Sequence, residues 1–168
     1  MKRLLIMTLL AVCSLSCKKK VVEMSSTPPE VVFFKVVDNN GVDLINGTST
    51  PVLVQDIILE HLIDGKRVEA SATGAVLDNP QPEVQIKDFY NPNIFKGKIV
   101  TFYINTIPAK TTLKSVSYLT IRNKGTFTIE VEFLKYGANS TNGKIWVNNV
   151  LVRTDRSDGD KPITLVVN

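Results

Sequence analysis

The chain has 168 residues, of which 43% are hydrophobic, 20 are basic and 16 are acidic, and its formal net charge is +4. The positive excess lies near the N-terminus: five basic residues and one acidic residue precede Glu30, and 15 of each kind are found from Glu30 onward. A neutral domain without a basic stripe argues against nucleic-acid binding, and the length from residue 30 predicts one domain with its own core.

Residues 1–16 have the pattern of a secretory signal peptide. Lys2 and Arg3 form a positive N-terminus, and residues 4–12 are apolar except for Thr8. A membrane-spanning helix needs about 20 apolar residues, which this run does not supply. We therefore expect the segment to direct export and then to be removed.

The sequence Ser14-Leu15-Ser16-Cys17 resembles a lipobox, in which a small residue precedes the cleavage site and the cysteine thiol takes a diacylglycerol group. Cys13 is the rival acceptor, but the bulky Val12 precedes it inside the apolar run. Removal of one cysteine and acylation of the other would leave none for a disulfide, because the chain has only these two. The alternative is an ordinary secreted protein with a cysteine here by chance.

Residues 17–29 are interpreted as the lipidated Cys17 and a flexible tether. Lys18, Lys19 and Lys20 follow the predicted anchor, where each lysine can add about 1 kcal/mol of attraction to anionic head groups. The alternative is that they are only solvated tether residues. Residues 24–29, Met-Ser-Ser-Thr-Pro-Pro, show no periodicity and contain two prolines, which is typical of a spacer.

From residue 31 the chain alternates short runs of β-branched and aromatic residues with clusters of Asn, Asp, Gly and Pro, which predicts strands and turns. The clearest strand is 126–135, where apolar side chains alternate with Thr and Glu, as expected for one buried and one solvated face. The other predicted strands are 31–37, 53–63, 67–73, 84–89, 99–106, 116–123, 144–147, 150–154 and 162–167.

Tight hairpins are predicted at Asp64-Gly65, at Asn148-Asn149 and around Asp158-Gly159, because these residues tolerate the positive φ of two-residue turns. Sequential antiparallel pairing follows. Residues 30–168 are therefore predicted to form an all-β domain, a single antiparallel immunoglobulin-like β-sandwich of about 8 to 10 strands. A closed barrel is the competing geometry.

Both ends of the predicted domain carry a recognisable pattern. Residues 34–45 read Phe-Lys-Val-Val-Asp-Asn-Asn-Gly-Val-Asp-Leu-Ile, and residues 145–152 read Ile-Trp-Val-Asn-Asn-Val-Leu-Val before a final strand at 163–166. In these features the chain resembles a family of uncharacterised small lipoproteins from Bacteroidetes. The resemblance implies a β-sandwich held by lipid at the outer membrane, and it implies no activity. Lipoproteins of that lineage that reach the outer face of the cell typically carry acidic residues just after the lipidated cysteine, so Lys18 to Lys20 favour the periplasmic side, with surface exposure as the alternative.

No catalytic residue set and no cofactor are expected. His61 is the only histidine, it lies in a strand-like run, and the chain has no Gly-x-Ser-x-Gly motif, so a structural or surface imidazole is predicted. Glu130 and Glu132 share a strand face with Cα atoms roughly 6.5 to 7 Å apart, but the alternation around them is typical of a solvated sheet. A carboxylate-dependent hydrolase acting on envelope polysaccharide would need two of Glu60, Asp88, Glu130 and Glu132 in one cleft.

Two acidic turns are weak candidates for calcium. Their oxygen-bearing residues are Asp38, Asn40 and Asp43 in the first turn, and Asp155, Asp158 and Asp160 in the second. The first turn lacks the EF-hand positions of glycine and of the bidentate glutamate. Asp and Asn are also ordinary turn residues that bond their own backbone, so no metal site is predicted.

Segment 89–95, Phe-Tyr-Asn-Pro-Asn-Ile-Phe, is predicted to be a loop that presents aromatic side chains. Aromatic residues on loops grip sugars or partner proteins, although they also close the open end of a sandwich. A ligand or partner site would use Tyr90, Phe95 and Trp146, although core packing is the favoured interpretation for Trp146. The sequence thus favours a lipid-anchored, non-enzymatic module that binds an envelope protein or glycan. The alternatives are the hydrolase and a purely structural domain without an exposed apolar patch.

Overall fold

The computed structural model describes residues 31–70, 84–104, 114–136, 139–154 and 161–167. These residues form ten strands and a short 3-10 turn, Val54–Asp56. The strands are β1 Val31–Asp38, β2 Ile57–Ile63, β3 Lys66–Glu69, β4 Val84–Asn91, β5 Phe95–Tyr103, β6 Lys114–Ile121, β7 Gly125–Tyr136, β8 Asn139–Val147, β9 Val150–Arg153 and β10 Ile163–Val167. Every predicted strand corresponds to one of them, with shifts at the ends. This part of the chain contains no helix with the length and apolar character needed to cross a bilayer.

The strands form two sheets that pack on a shared core. The four-stranded sheet has the order β10-β1-β5-β4, and the six-stranded sheet has the order β3-β2-β6-β7-β8-β9. The predicted all-β architecture is confirmed, and the two separate sheets differ from a closed barrel. The prediction of wholly antiparallel sheets is wrong at one place, because β1 and β10 pair in parallel, from Phe34 opposite Ile163 to Asp38 opposite Val167. The alternation of side chains reveals which face a strand buries and carries no information on strand direction.

Sequential pairing holds in part. Strands β6, β7, β8 and β9 pair in chain order as a meander, whereas β1 pairs with β5 and β10 and the chain reaches β2 only after residues 39–53. That connection carries three buried residues, Leu44, Ile45 and Val52, which join the core. It lies along β1, because the Leu44 N–H donates to the Val36 carbonyl (2.9 Å) and the Val52 N–H donates to the Leu44 carbonyl (2.8 Å). Apolar burial therefore holds this connection against the sheet.

Two of the three predicted hairpins are confirmed. Asp64 and Gly65 adopt φ of 49° and 77° between β2 and β3, and Asn148 and Asn149 adopt φ of 49° and 66° between β8 and β9. Positive φ at both central residues gives the turn the twist that hairpin strands require. The third turn, residues 157–160, lies outside the described residues. Its strands β9 and β10 belong to different sheets, so the prediction that it joins neighbouring strands is wrong.

The core is built from alternate residues of both sheets. From the four-stranded sheet, Phe34 and Phe102 are almost fully buried, and their rings stack with centroids 5.4 Å apart and an interplanar angle of 6°. From the six-stranded sheet, the buried apolar residues are Ile57, Leu59, Leu119, Ile121, Phe127, Ile129, Val131, Phe133, Ile145 and Val147. The predicted alternation in β7 is confirmed, since Phe127, Ile129, Val131 and Phe133 point inward.

A polar group lies inside this core. His61 is 3% exposed, and its Nδ1 lies 2.9 Å from the Oγ of Ser117 on the neighbouring strand β6. The hydroxyl group of Ser115, two residues earlier on β6, is buried with no hydrogen-bond partner. The imidazole therefore has a structural position between strands, as the sequence predicts, because a buried polar group is stabilised by a hydrogen bond.

The strand directions define two ends of the sandwich. Val31 begins β1 opposite Tyr103, the last residue of β5, and the turn between β4 and β5 lies at the other end. At the Val31 end, the guanidinium group of Arg153, at the end of β9, donates to the carbonyl of Lys161, just before β10. We call the Val31 end proximal and the opposite end distal. The distal end carries the turns after β1, β4, β6 and β8.

Candidate functional site

Five of the exposed large hydrophobic residues lie near the turns at the distal end of the sandwich. The exposed fractions are 71% for Tyr90 and 38% for Ile94 at the β4–β5 turn, 45% for Leu53 and Val54 at the 3-10 turn, and 41% for Val42 after β1. The 3-10 turn contacts β4, which is the strand that carries Tyr90. We call these five residues the distal surface. Clustered exposed apolar groups rimmed by polar residues are typical of interaction sites.

Segment 89–95 is a tight hairpin rather than the predicted loop. Phe89, Tyr90 and Asn91 belong to β4, Phe95 begins β5, and the Ile94 N–H donates to the Asn91 carbonyl (3.0 Å). The turn itself consists only of residues 92–94, which include the proline. The strands therefore extend far enough to include the aromatic residues Phe89, Tyr90 and Phe95. Because the aromatic residues lie on paired strands, each has a defined face.

Tyr90 lies on the side of the hairpin that continues the inner face of the sheet. It is paired with Lys96, and Asp88 is paired with Lys98 on the same side. The ammonium group of Lys96 lies 5.7 Å from the centre of the Tyr90 ring, which is within the range of a cation–π contact. The ring is otherwise 71% exposed, so it is the most accessible aromatic group in the described part of the chain.

Phe95 lies on the opposite side of the hairpin from Tyr90. Its ring centre is 6.3 Å from that of Phe89, which in turn is 5.6 Å from that of Phe33 on β1. The ammonium group of Lys35 lies 5.3 Å from the centre of the Phe95 ring. Phe95 therefore belongs to a small aromatic cluster on the outer side of the four-stranded sheet and is not part of the same surface as Tyr90.

Trp146 lies on the outer side of the six-stranded sheet. It is half-buried and lies opposite Glu130, an outward-facing residue of β7, so the favoured prediction that Trp146 packs in the core is wrong. The ammonium group of Lys114 lies 5.1 Å from the centre of its ring. The three residues predicted to form one binding site thus lie on three different surfaces, and only Tyr90 belongs to the distal surface.

The position of the hairpin depends on Asn46. Its side-chain Oδ1 accepts from the Lys98 N–H (2.7 Å) and its Nδ2 donates to the Lys98 carbonyl (2.9 Å). The side-chain amide thus makes the pair of hydrogen bonds to β5 that the backbone of a neighbouring strand would make. The same Nδ2 donates to Asp43 Oδ2 (3.0 Å). The connection between β1 and β2 is thereby fastened to β5, which fixes the hairpin relative to Val42 and the 3-10 turn.

Replacing Asn46 with alanine is expected to lower the free energy of unfolding by about 1 to 2 kcal/mol, because the two hydrogen bonds to Lys98 are lost in a partly exposed setting. Chemical denaturation measures the change. The matched control is Asn93→Ala at the hairpin tip, where a change within about 0.5 kcal/mol is expected. Equal effects of the two substitutions would contradict the role of Asn46.

The acidic turn after β1 uses its carboxylates to hold the backbone. Asp38 Oδ1 accepts from the N–H groups of Asn40 (2.9 Å) and Val42 (2.8 Å), and Asp43 Oδ1 accepts from those of Ile45 and Asn46 (both 2.9 Å). This is the turn chemistry that the sequence offered as the alternative to calcium. Among the described residues, no group of three or more His, Cys, Asp or Glu side chains could hold a metal ion. Asp155, Asp158 and Asp160 lie outside those residues.

The four carboxylates considered for hydrolysis lie on two surfaces. Glu60, Glu130 and Glu132 are on outward-facing positions of the six-stranded sheet, and Glu60 Oε2 is 4.0 Å from Arg67 Nη1. Strand β6 separates Glu60 from Glu130, so their Cα atoms are at least about 10 Å apart and their side chains point the same way. Asp88 is on the inner side of the β4–β5 hairpin. Side chains on one sheet face do not oppose each other across a cleft.

Sequence reasoning missed most of the distal surface. Leu53 and Val54 were assigned to a strand, but β2 begins only at Ile57, because Asp56 Oδ2 accepts from the Leu53 N–H (3.1 Å) and stabilises the 3-10 turn that precedes the strand. The signal is an aspartate three residues after Leu53, a spacing from which its carboxylate can accept the Leu53 N–H. Val42 follows a glycine with φ of 78°, which marks a turn. Its exposure depends on the tertiary arrangement.

Comparisons of the chain with protein-family models, with curated proteins and with solved structures each found no match.

Proposed function

We propose that this protein is a lipid-anchored, non-enzymatic module of the bacterial cell envelope that binds an envelope protein or glycan through its distal surface. In this proposal Cys17 carries the lipid, the anchored chain resides at the outer membrane facing the periplasm, and residues 30–168 form the binding domain. We further propose that the domain belongs to the immunoglobulin-like class of sandwiches. Two sheets packed face to face support this class, whereas the meander of β6 to β9 differs from the Greek-key connections typical of it.

The observation that carries the binding function is the exposure of Tyr90, 71%, together with four exposed aliphatic residues at one end of a well-packed domain. That end is opposite to Val31, where the chain enters β1. A tether at the proximal end therefore leaves the distal surface accessible. A purely structural domain has no need of an exposed apolar cluster, which has a cost in solubility.

Replacing Cys17 with alanine is expected to move the protein from the detergent phase to the aqueous phase in a detergent-partition experiment on cells that process lipoproteins. The reason is that a lipid chain contributes about 0.8 kcal/mol per buried CH₂ group, which no other part of the predicted mature chain replaces. Cys13→Ala is the matched control and should still partition into detergent. A loss of partitioning in Cys13→Ala instead would contradict lipidation at Cys17.

Replacing Tyr90 with alanine and Ile94 with serine together is expected to lower binding to the envelope ligand at least tenfold, because the centre of a binding surface carries most of its energy. A glycan array and affinity capture from envelope fractions, each compared across variants, measure the change. Trp146→Ala removes an aromatic residue on another surface and should leave binding unchanged. Retained binding in the double variant would exclude the distal surface as the site.

A further inference from the structure

The two outer faces of the sandwich differ in charge. Outward-facing residues of the six-stranded sheet include four carboxylates and three basic groups, which are Glu60, Glu69, Glu130, Glu132, Arg67, Lys114 and Lys144. Outward-facing residues of β1, β4, β5 and β10 include Lys35 and Lys87 and no acidic residue. Asp43 bridges to Val37 at the border of this second face, where its carboxylate is held by backbone N–H groups.

The face of the four-stranded sheet also carries apolar groups. Phe33, Phe89 and Phe95 form the aromatic cluster described above and are half-buried, and Val166 on β10 is 51% exposed. Lys35 covers the Phe95 ring with its ammonium group. We call Phe33, Lys35, Lys87, Phe89, Phe95 and Val166 the basic face. Such a face is suited to an anionic bilayer surface, because the aromatic rings can contact the apolar acyl boundary while the lysine ammonium groups contact the negatively charged head groups.

The chain enters the domain on this sheet. Val31 is the first residue of β1, and fourteen peptide units separate it from Cys17, which allows a reach of at most about 50 Å. Lys18, Lys19 and Lys20 lie in that segment. An anchor at Cys17 would therefore bring the tether lysines and the basic face to the same anionic surface.

We propose that the basic face lies against an anionic lipid surface, so that the anchored domain rests on the membrane with its six-stranded sheet facing away. The orientation rests on the proposed lipid anchor. It directs the distal surface along the membrane plane, where the partner would be another membrane-bound molecule. Each of the two lysines is expected to raise the equilibrium constant for the membrane-facing orientation about fivefold. This is enough to orient an anchored domain but not to hold the domain at the membrane without the lipid.

Bromolipid quenching of tryptophan fluorescence tests the orientation, because Trp146 is the only tryptophan and lies on the opposite face. The experiment uses the chain from Cys17 to Asn168, which contains all of the residues that form the two sheets. Cys17 is the only thiol of this chain, so coupling to a maleimide phospholipid supplies the anchor whether or not cells acylate that cysteine. The reporter is Val166→Trp in a Trp146→Phe background. Vesicles contain brominated phosphatidylcholine with or without phosphatidylglycerol.

The reporter at position 166 is expected to be quenched at least threefold more in vesicles with phosphatidylglycerol than in vesicles without it, whereas Trp146 in the unsubstituted chain should be quenched weakly in both. Lys35→Gln with Lys87→Gln should lower the equilibrium constant for the oriented state about tenfold or more. Lys66→Gln with Lys144→Gln removes the same charge from the six-stranded sheet and should have no effect. High salt should reduce the quenching of the reporter.

Equal quenching of the two tryptophans, or quenching of the reporter without dependence on phosphatidylglycerol or on Lys35 and Lys87, would overturn the proposed orientation. Relief of the quenching at position 166 by soluble polygalacturonate at constant ionic strength would assign the basic face to an acidic glycan and would also overturn the proposed orientation. Because the anchor is attached chemically, these outcomes are distinct from failure of the Cys17→Ala experiment.

Discussion

Replacing Phe34 with alanine is expected to lower the free energy of unfolding by about 3 to 5 kcal/mol. Phe34 has no exposed surface, its ring stacks on that of Phe102, and it lies on β1, the strand that joins β10 to β5. The substitution removes apolar burial and leaves a cavity that closes only if the two sheets shift toward each other, which the packing of their other core residues resists. Denaturant unfolding followed by circular dichroism measures the change.

Tyr90→Ala is the matched control for this substitution, because it also removes an aromatic ring but from a side chain that is 71% exposed. Its expected effect on the free energy of unfolding is within about 0.5 kcal/mol. The same variant then serves in binding experiments as a folded protein. If both substitutions destabilised the domain equally, the shared core between the sheets would not be the main source of stability.

Replacing Gly97 with alanine is expected to lower the free energy of unfolding by about 1 to 3 kcal/mol. Gly97 has φ of 151°, and a Cβ atom at this position would lie 3.0 Å from Phe95 Cζ and 3.3 Å from Asn46 Cγ. The backbone conformation is unfavourable for other residues, and the added methyl group would push against the amide that holds the hairpin. Thermal or chemical unfolding measures the effect.

The contribution of the contact can be separated from that of the backbone. Gly125 also has positive φ, 115°, but a Cβ atom there would meet nothing within 4 Å. Gly125→Ala therefore measures the effect of backbone strain alone, and it should lower the free energy of unfolding by less than Gly97→Ala does. In an Asn46→Ala background the cost of Gly97→Ala should fall, because part of the crowding is removed. An unchanged cost there would show that Asn46 does not crowd the added methyl group.

Local sequence patterns determined the strands because side-chain alternation and turn chemistry are local properties. The alternation in β7 identified its buried face, and the pairs Asp64-Gly65 and Asn148-Asn149 identified hairpins, since both depend on neighbouring residues alone. The prediction failed at Leu53 and Val54, where the side chain of Asp56 stabilises a 3-10 turn against the β-propensity of the run.

The candidate site could be predicted only in part. Tyr90 was identified as an accessible aromatic residue and is exposed, but Phe95 packs with Phe89 and Trp146 faces outward from the other sheet. Sequence showed that these side chains are aromatic and lie near turns. Which side of a hairpin each occupies depends on the pairing register, because a shift of one residue exchanges the two faces.

The amino-acid sequence by itself determined the neutral charge of the domain, the absence of cysteines after Cys17 and the approximate positions of the ten strands in the described residues, because these follow from composition and short-range pattern. Only the tertiary structure decided that β1 and β10 run in parallel, that Asn46 fastens β5, and that five exposed apolar residues lie at the same end of the sandwich. Contacts between residues distant in the chain depend on how whole sheets bury their apolar faces together, which no local pattern encodes.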